Sequence, residues 1–171
     1  MTAGMFNTNT SPISGSLSAS LPDSVSATVT RRDVVTLTDA TVALTEASHA
    51  GKFIALSRAA GQALTLPAAT GSGVQFEFFV LTTITSNSTT IKVANSTDVL
   101  RGHAVQPADA GSTMNGWEAS STDDTITFNG STTGGIAGDI VRLVDIAAGY
   151  WFVQLIGSAT GTEATPFSAT V

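Results

Sequence analysis

The stretch Val74-Gln75-Phe76-Glu77-Phe78-Phe79-Val80 sets the fold class of this chain. Apolar residues occupy its first, third, fifth and seventh positions, whereas Gln75 and Glu77 between them are polar. Because successive side chains of a strand point to opposite faces, this alternation predicts a strand with one buried face. We expect the strand to run to about Thr83.

Shorter apolar and β-branched segments lie on both sides of that stretch, separated by turn residues such as those at 86–88 and 129–130. We predict strands at residues 34–37, 52–56, 63–66, 90–93, 99–100, 125–128, 139–144 and 150–156. The second and third of these are expected to form a hairpin through residues 59–62. So many short strands predict an all-β fold, a β-sandwich or jelly-roll-like barrel of antiparallel strands.

Two segments depart from the strand pattern. Residues 41–50 offer the one helical alternative, which their Thr and Val content weakens. Residues 105–124 contain Pro107, Met114 and Trp117 and read as a long connection, either disordered or a binding loop. In the binding reading Met114 and Trp117 contact a partner. In the alternative reading Trp117 tucks under the sheet as a core plug.

Residues 1–33 are dominated by Ser, Thr, Asn, Gly and Pro. Isolated large apolar residues stand among them, namely Phe6, Ile13, Leu17 and Leu21. We predict an extended N-terminal arm whose apolar residues anchor it to a partner, followed by a β domain at residues 34–171. The alternative is a frayed terminus. This segment has no apolar run of signal-peptide length, so we expect neither secretion nor organelle import.

Composition narrows the class of protein. The 171 residues include no cysteine, which excludes a disulfide scaffold and a thiolate metal site. The net charge is −6 and only 12% of residues are charged, so the surface is largely neutral and suits lasting contact with protein, including copies of the same chain.

Seven basic residues form no stripe, so nucleic acid is not an expected partner. The apolar segment 150–156 is too short to span a bilayer, so no membrane contact is expected.

Motifs that carry chemistry are weak in this sequence. His49 and His103 lack metal-ligand spacing, even with Asp98 or Asp109 offered as partners. The adjacent carboxylates at 123–124 lack the further oxygen ligands of a Ca²⁺ loop, and no acidic pair stands out for glycoside hydrolysis. Nucleophile and phosphate-binding motifs are absent. We therefore predict no enzyme activity, no metal and no cofactor.

Four stretches share a turn-and-strand pattern: HAGKFIAL at 49–56, LTLPAATGSG at 64–73, GGIAGD at 134–139 and GYWFV at 149–153. Over about residues 45–157 the chain resembles small β-rich virion proteins of tailed bacteriophages. The resemblance implies a capsid decoration (cement) protein, trimeric, bound to the major capsid protein on the outer surface of the virion and made in the host cytoplasm. The alternative that the resemblance implies is a tail- or head-fibre module that recognises a host receptor or glycan through residues 105–124. It transfers no catalytic residue.

Overall fold

The computed structural model describes residues 32–109 and 113–171. The predicted arm therefore lies outside the described residues, apart from its last two positions. The same holds for Phe6, Ile13, Leu17 and Leu21, whose predicted anchoring role stays a prediction.

Short strands dominate the described residues. The elements are β1 (Val34–Leu37), β2 (Thr41–Ala43), α1 (Glu46–His49), β3 (Phe53–Leu56), β4 (Ala63–Thr65), β5 (Gln75–Val80), β6 (Thr89–Lys92), β7 (Val99–Pro107), β8 (Met114–Glu118), β9 (Thr125–Phe128), β10 (Ile140–Ala147), β11 (Tyr150–Ile156) and β12 (Phe167–Ser168). Among these elements no helix is long and apolar enough to cross a membrane.

The strands form two mixed sheets. One has seven strands in the order β1-β3-β5-β10-β11-β7-β8, and the other has five in the order β12-β9-β6-β4-β2. Buried apolar side chains of both sheets belong to one core cluster, in which Phe76 and Trp151 of one sheet share a core with Ile91 and Phe128 of the other. This arrangement confirms the predicted all-β sandwich.

The first six strands alternate between the sheets, with odd numbers in the seven-stranded sheet and even numbers in the five-stranded one. Each connection crosses to the other sheet, so the next strand of the same sheet runs in the same direction. The pairs β1–β3, β3–β5, β2–β4 and β4–β6 are accordingly parallel. The predicted hairpin of residues 52–56 and 63–66 is wrong, because β3 and β4 lie in different sheets. The later strand pairs are antiparallel, apart from β7–β11. The expected antiparallel pairing therefore holds for half of the strand pairs.

Strand β5 bears out the alternation from which its position was predicted. Phe76 and Phe78 are at most 1% exposed, and the polar residues between and before them face away from the core. The strand ends at Val80 rather than near Thr83. The next two backbone N–H groups both donate to the carbonyl oxygen of Leu56, which turns the chain out of the ladder.

The two exceptional segments also take definite structures. Residues 41–50 contain β2 and then the single turn α1, whose N-cap Thr45 accepts a hydrogen bond from the backbone N–H of Ser48. Within residues 105–124, residues 105–107 and 114–118 are strand, because β7 continues to Pro107 and pairs antiparallel with β8. The expected long loop therefore contains the end of β7 and the whole of β8.

Candidate functional site

One face of the seven-stranded sheet points away from the core, and large apolar side chains cross it in register. Phe79, Ile140, Ile156 and Val105 are successive partners on β5, β10, β11 and β7, and Met114 of β8 lies beside them. Phe79 is 37% exposed, Ile140 40%, Ile156 56% and Met114 59%, while Val105 is half-buried. We call these five residues the apolar row. Exposed apolar residues that adjoin one another mark contact surfaces, whereas scattered ones do not.

A second row of side chains runs beside the first on the same face. Glu77, Arg142, Gln154, His103 and Glu118 are successive register partners, two residues along each strand from the apolar row or its neighbours. We call them the polar row. Its charged members are Glu77, Arg142 and Glu118, and the basic Arg142 is the direct register partner of Glu77.

The two rows border a groove of about 440 Å³. Its apolar lining includes Val105, Met114 and Ile156, and its polar lining includes His103 and Arg142. Guanidinium, imidazole and amide groups beside apolar walls fit a ligand with an apolar body and acceptor oxygens. Nearby, the guanidinium carbon of the outward-facing Arg101 lies 5.4 Å from the centre of the Tyr150 ring, a cation–π contact.

The two partner-contact residues predicted on the β7–β8 segment face opposite ways. Met114 belongs to the apolar row and is exposed. Trp117 pairs with Ala104, which is fully buried, and is itself half-buried against the core cluster. The core-plug reading therefore describes Trp117, although it sits on a strand rather than in a loop. Its predicted partner contact stays a prediction.

This difference gives a first testable prediction. Trp117→Ala is expected to lower the free energy of unfolding by about 2 kcal/mol, because it removes a large side chain that packs on the core. Met114→Ala is expected to change it by less than about 0.5 kcal/mol, since most of that side chain contacts solvent. Urea denaturation of both variants measures the two values. Equal losses would contradict the opposite orientations.

Of the residues considered for metal binding, His49 and Asp98 are hydrogen-bonded to the backbone, and His103 is not part of a metal-binding cluster among the described residues. The Nδ1 atom of buried His49 lies 3.0 Å from the backbone nitrogen of Thr45, which donates to it, whereas His103 lies on the open face. The Asp98 carboxylate accepts the backbone N–H of Ala69 at 2.8 Å. Across residues 32–109 and 113–171, no group of three or more His, Asp or Glu residues could hold a metal ion.

Buried aspartates hold several loops of the sandwich, a feature that the sequence pattern did not indicate. Asp145, 1% exposed, accepts the backbone N–H groups of Thr70, Gly71 and Ser72 at 2.7–3.0 Å. The hydroxyls of Thr70 and Ser72 also donate to it. Burial alone raises the pKa of Asp145, but these hydrogen bonds outweigh burial and lower the pKa to about 2. Asp145 is therefore ionised and fixes the backbone of residues 70–72. We call such a buried carboxylate with its backbone N–H donors a clasp.

Asp139 forms a second clasp with the opposite balance. It accepts the backbone N–H groups of Gly135 and Ser158 at 2.7 Å and of Ile136 at 3.1 Å. Burial dominates here and raises the pKa of Asp139 despite those hydrogen bonds. The clasp fixes the loop that leads into β10, and therefore the start of the strand that carries Ile140.

Comparison with known proteins adds no relative to these observations. No protein-family model matches the chain, no curated protein matches its sequence, and no solved structure matches its fold.

Proposed function

We propose that this chain is a structural virion protein, most specifically a capsid decoration (cement) protein. In this role it binds the assembled phage shell, bridges neighbouring capsomers and stabilises the head. Its partners are the major capsid protein and further copies of itself, with a trimer favoured by the resemblance. The observation that carries the proposal is the open face of the seven-stranded sheet, where adjoining apolar side chains offer a surface for contact with protein, either the shell or further copies of the chain.

Other features support an assembly role. Only 12% of residues are charged, so little charge has to be desolvated when the surface meets protein. Buried carboxylates clasp the loops, which makes the sandwich a preorganised body that loses little freedom on docking. The net charge of −6 suits an outer position, away from packaged DNA. Binding only to the assembled shell would stabilise that shell by mass action.

The test uses empty phage heads that lack this chain. The full chain is expected to sediment with the heads and to raise the temperature at which they break. A variant lacking residues 1–30 is expected to unfold at nearly the same temperature yet to bind at least about tenfold more weakly, because Phe6, Ile13, Leu17 and Leu21 are the predicted anchors. Equal binding by the truncated variant would contradict the proposal that residues 1–30 anchor the chain to the head. No binding by the full chain would remove the decoration function.

The groove between the apolar and polar rows favours a second function. As a tail- or head-fibre module, the chain would recognise a host receptor or glycan through this groove, which Val105 and Met114 of the β7–β8 segment help to line. This alternative expects the purified chain to bind intact host cells and Arg142→Ala to weaken that binding. Binding to empty heads without binding to cells favours decoration.

A further inference from the structure

We propose that the apolar row is the surface through which copies of this chain contact one another. The inference rests on the proposed assembly role and names the partner of that surface, a second copy. It leaves contact with the shell to other parts of the chain.

The first argument is continuity. The apolar row crosses five neighbouring strands, so its side chains adjoin one another without an intervening charged residue. Four of its members expose between 37% and 59% of their surface. Exposed apolar residues elsewhere, such as Val34 and Ile146, stand outside this row. A contiguous apolar surface in water gains most by being covered with another apolar surface.

The second argument is charge. The charged side chains that the seven strands direct outward are Glu77, Arg101, Glu118 and Arg142, two acidic and two basic. The whole chain carries a net charge of −6, so copies repel one another in general. On this face the two acidic and the two basic groups balance, so the face adds no net charge repulsion between copies. A second copy therefore suits this face better than a strongly charged partner does.

The third argument is size. The central strands β5, β10, β11 and β7 have six, eight, seven and nine residues. With about 4.8 Å between strands and 3.3 Å per residue, these four strands present roughly 500 Å², and all seven strands of the sheet present roughly 700 Å². Each partner in a stable interface contributes about 800 Å². Closed cyclic symmetry would cover the row in every copy, and the trimer proposed above meets that condition.

The experiment compares masses of the purified full chain by sedimentation equilibrium. The variant Ile140→Lys/Ile156→Lys places two charges in the apolar row. The control Ile146→Lys alters an exposed isoleucine of the same strand β10 that lies outside the row. We expect oligomers for the unsubstituted chain and the control, and a 17.3 kDa monomer for the double variant. The dissociation constant of the oligomer is expected to rise at least about 100-fold in the double variant. Circular dichroism checks folding, and Ile156→Ser serves as a milder variant if the double variant fails to fold.

Each outcome decides the inference. An oligomer that persists in both row variants would overturn it, because another surface would hold the copies together. A monomeric unsubstituted chain at micromolar concentration would also overturn it, and loss of head binding by the row variants would then assign the row to the shell. Failure of an oligomeric, unsubstituted chain to bind empty heads would remove the decoration function and leave this inference standing.

Discussion

Replacing Asp145 with asparagine is expected to lower the free energy of unfolding by roughly 3–5 kcal/mol. The carboxylate receives three backbone N–H groups and two hydroxyls from residues 70–72 and is 1% exposed. Asparagine keeps the shape but offers one acceptor oxygen, and its NH₂ group faces donors. Several buried donors would therefore lose their partner.

Urea denaturation of the Asp145→Asn variant measures this loss. Asp39→Asn is the matched control, because Asp39 is exposed and the same chemical change there is expected to cost less than about 0.5 kcal/mol. Similar values for the two variants would show that the clasp contributes little. A loss of 3–5 kcal/mol is large beside the 5–15 kcal/mol that typically stabilises a domain.

The same clasp predicts a pH dependence. The pKa of Asp145 is about 2 in the folded chain, below the ordinary value of 3.8. Its contribution to stability is therefore present above about pH 4 and is lost as pH falls toward 2, by roughly 2–3 kcal/mol in total. The raised pKa of Asp139 acts in the opposite direction, so comparing the unsubstituted chain with Asp145→Asn isolates the Asp145 contribution. Parallel pH profiles for the two proteins would contradict it.

The sequence pattern located most strands because a half-buried strand shows a local alternation of apolar and polar residues. It did not reveal the alternation of strands between sheets, since a short connection that crosses the sandwich and one that makes a hairpin use the same turn residues. It also shortened β7 to residues 99–100. Arg101 and His103 face outward there, and Gly102 approaches the next strand. The run of apolar residues in the sequence therefore ends although the strand continues.

The apolar row had a signal that the strand analysis did not use. Phe79 stands where the alternation of its strand calls for a polar residue, as do Ile140 two residues before Arg142 and Ile156 two residues after Gln154. Apolar residues at outward positions indicate a contact surface only where they adjoin one another. Their assembly into one row could not be predicted, because it depends on strand order. The clasp of Asp145 left no signal either, since its partners lie more than 70 residues away.

The substitution Gly102→Ala is expected to lower the free energy of unfolding by roughly 3–5 kcal/mol. Gly102 has φ +142°, and a Cβ there would lie 1.9 Å from the carbonyl oxygen of Val153 on the paired strand β11. The obstructing atom is backbone, so relief requires β7 and β11 to separate in the middle of their ladder. Two different costs, backbone strain and collision, therefore act at one position.

Gly161→Ala separates those costs. Gly161 also has a positive φ, +76°, but a Cβ there would meet no atom within 4 Å, so only strain remains and about 1 kcal/mol is expected. Urea denaturation of both variants gives the difference, and equal losses would contradict the expected collision between a Cβ at position 102 and the carbonyl oxygen of Val153. Because β7 carries Val105 onto the open face, Gly102→Ala should also displace Val105 from Ile156, its neighbour in the apolar row. Any folded fraction of this variant is then expected to associate more weakly than Gly161→Ala in sedimentation equilibrium.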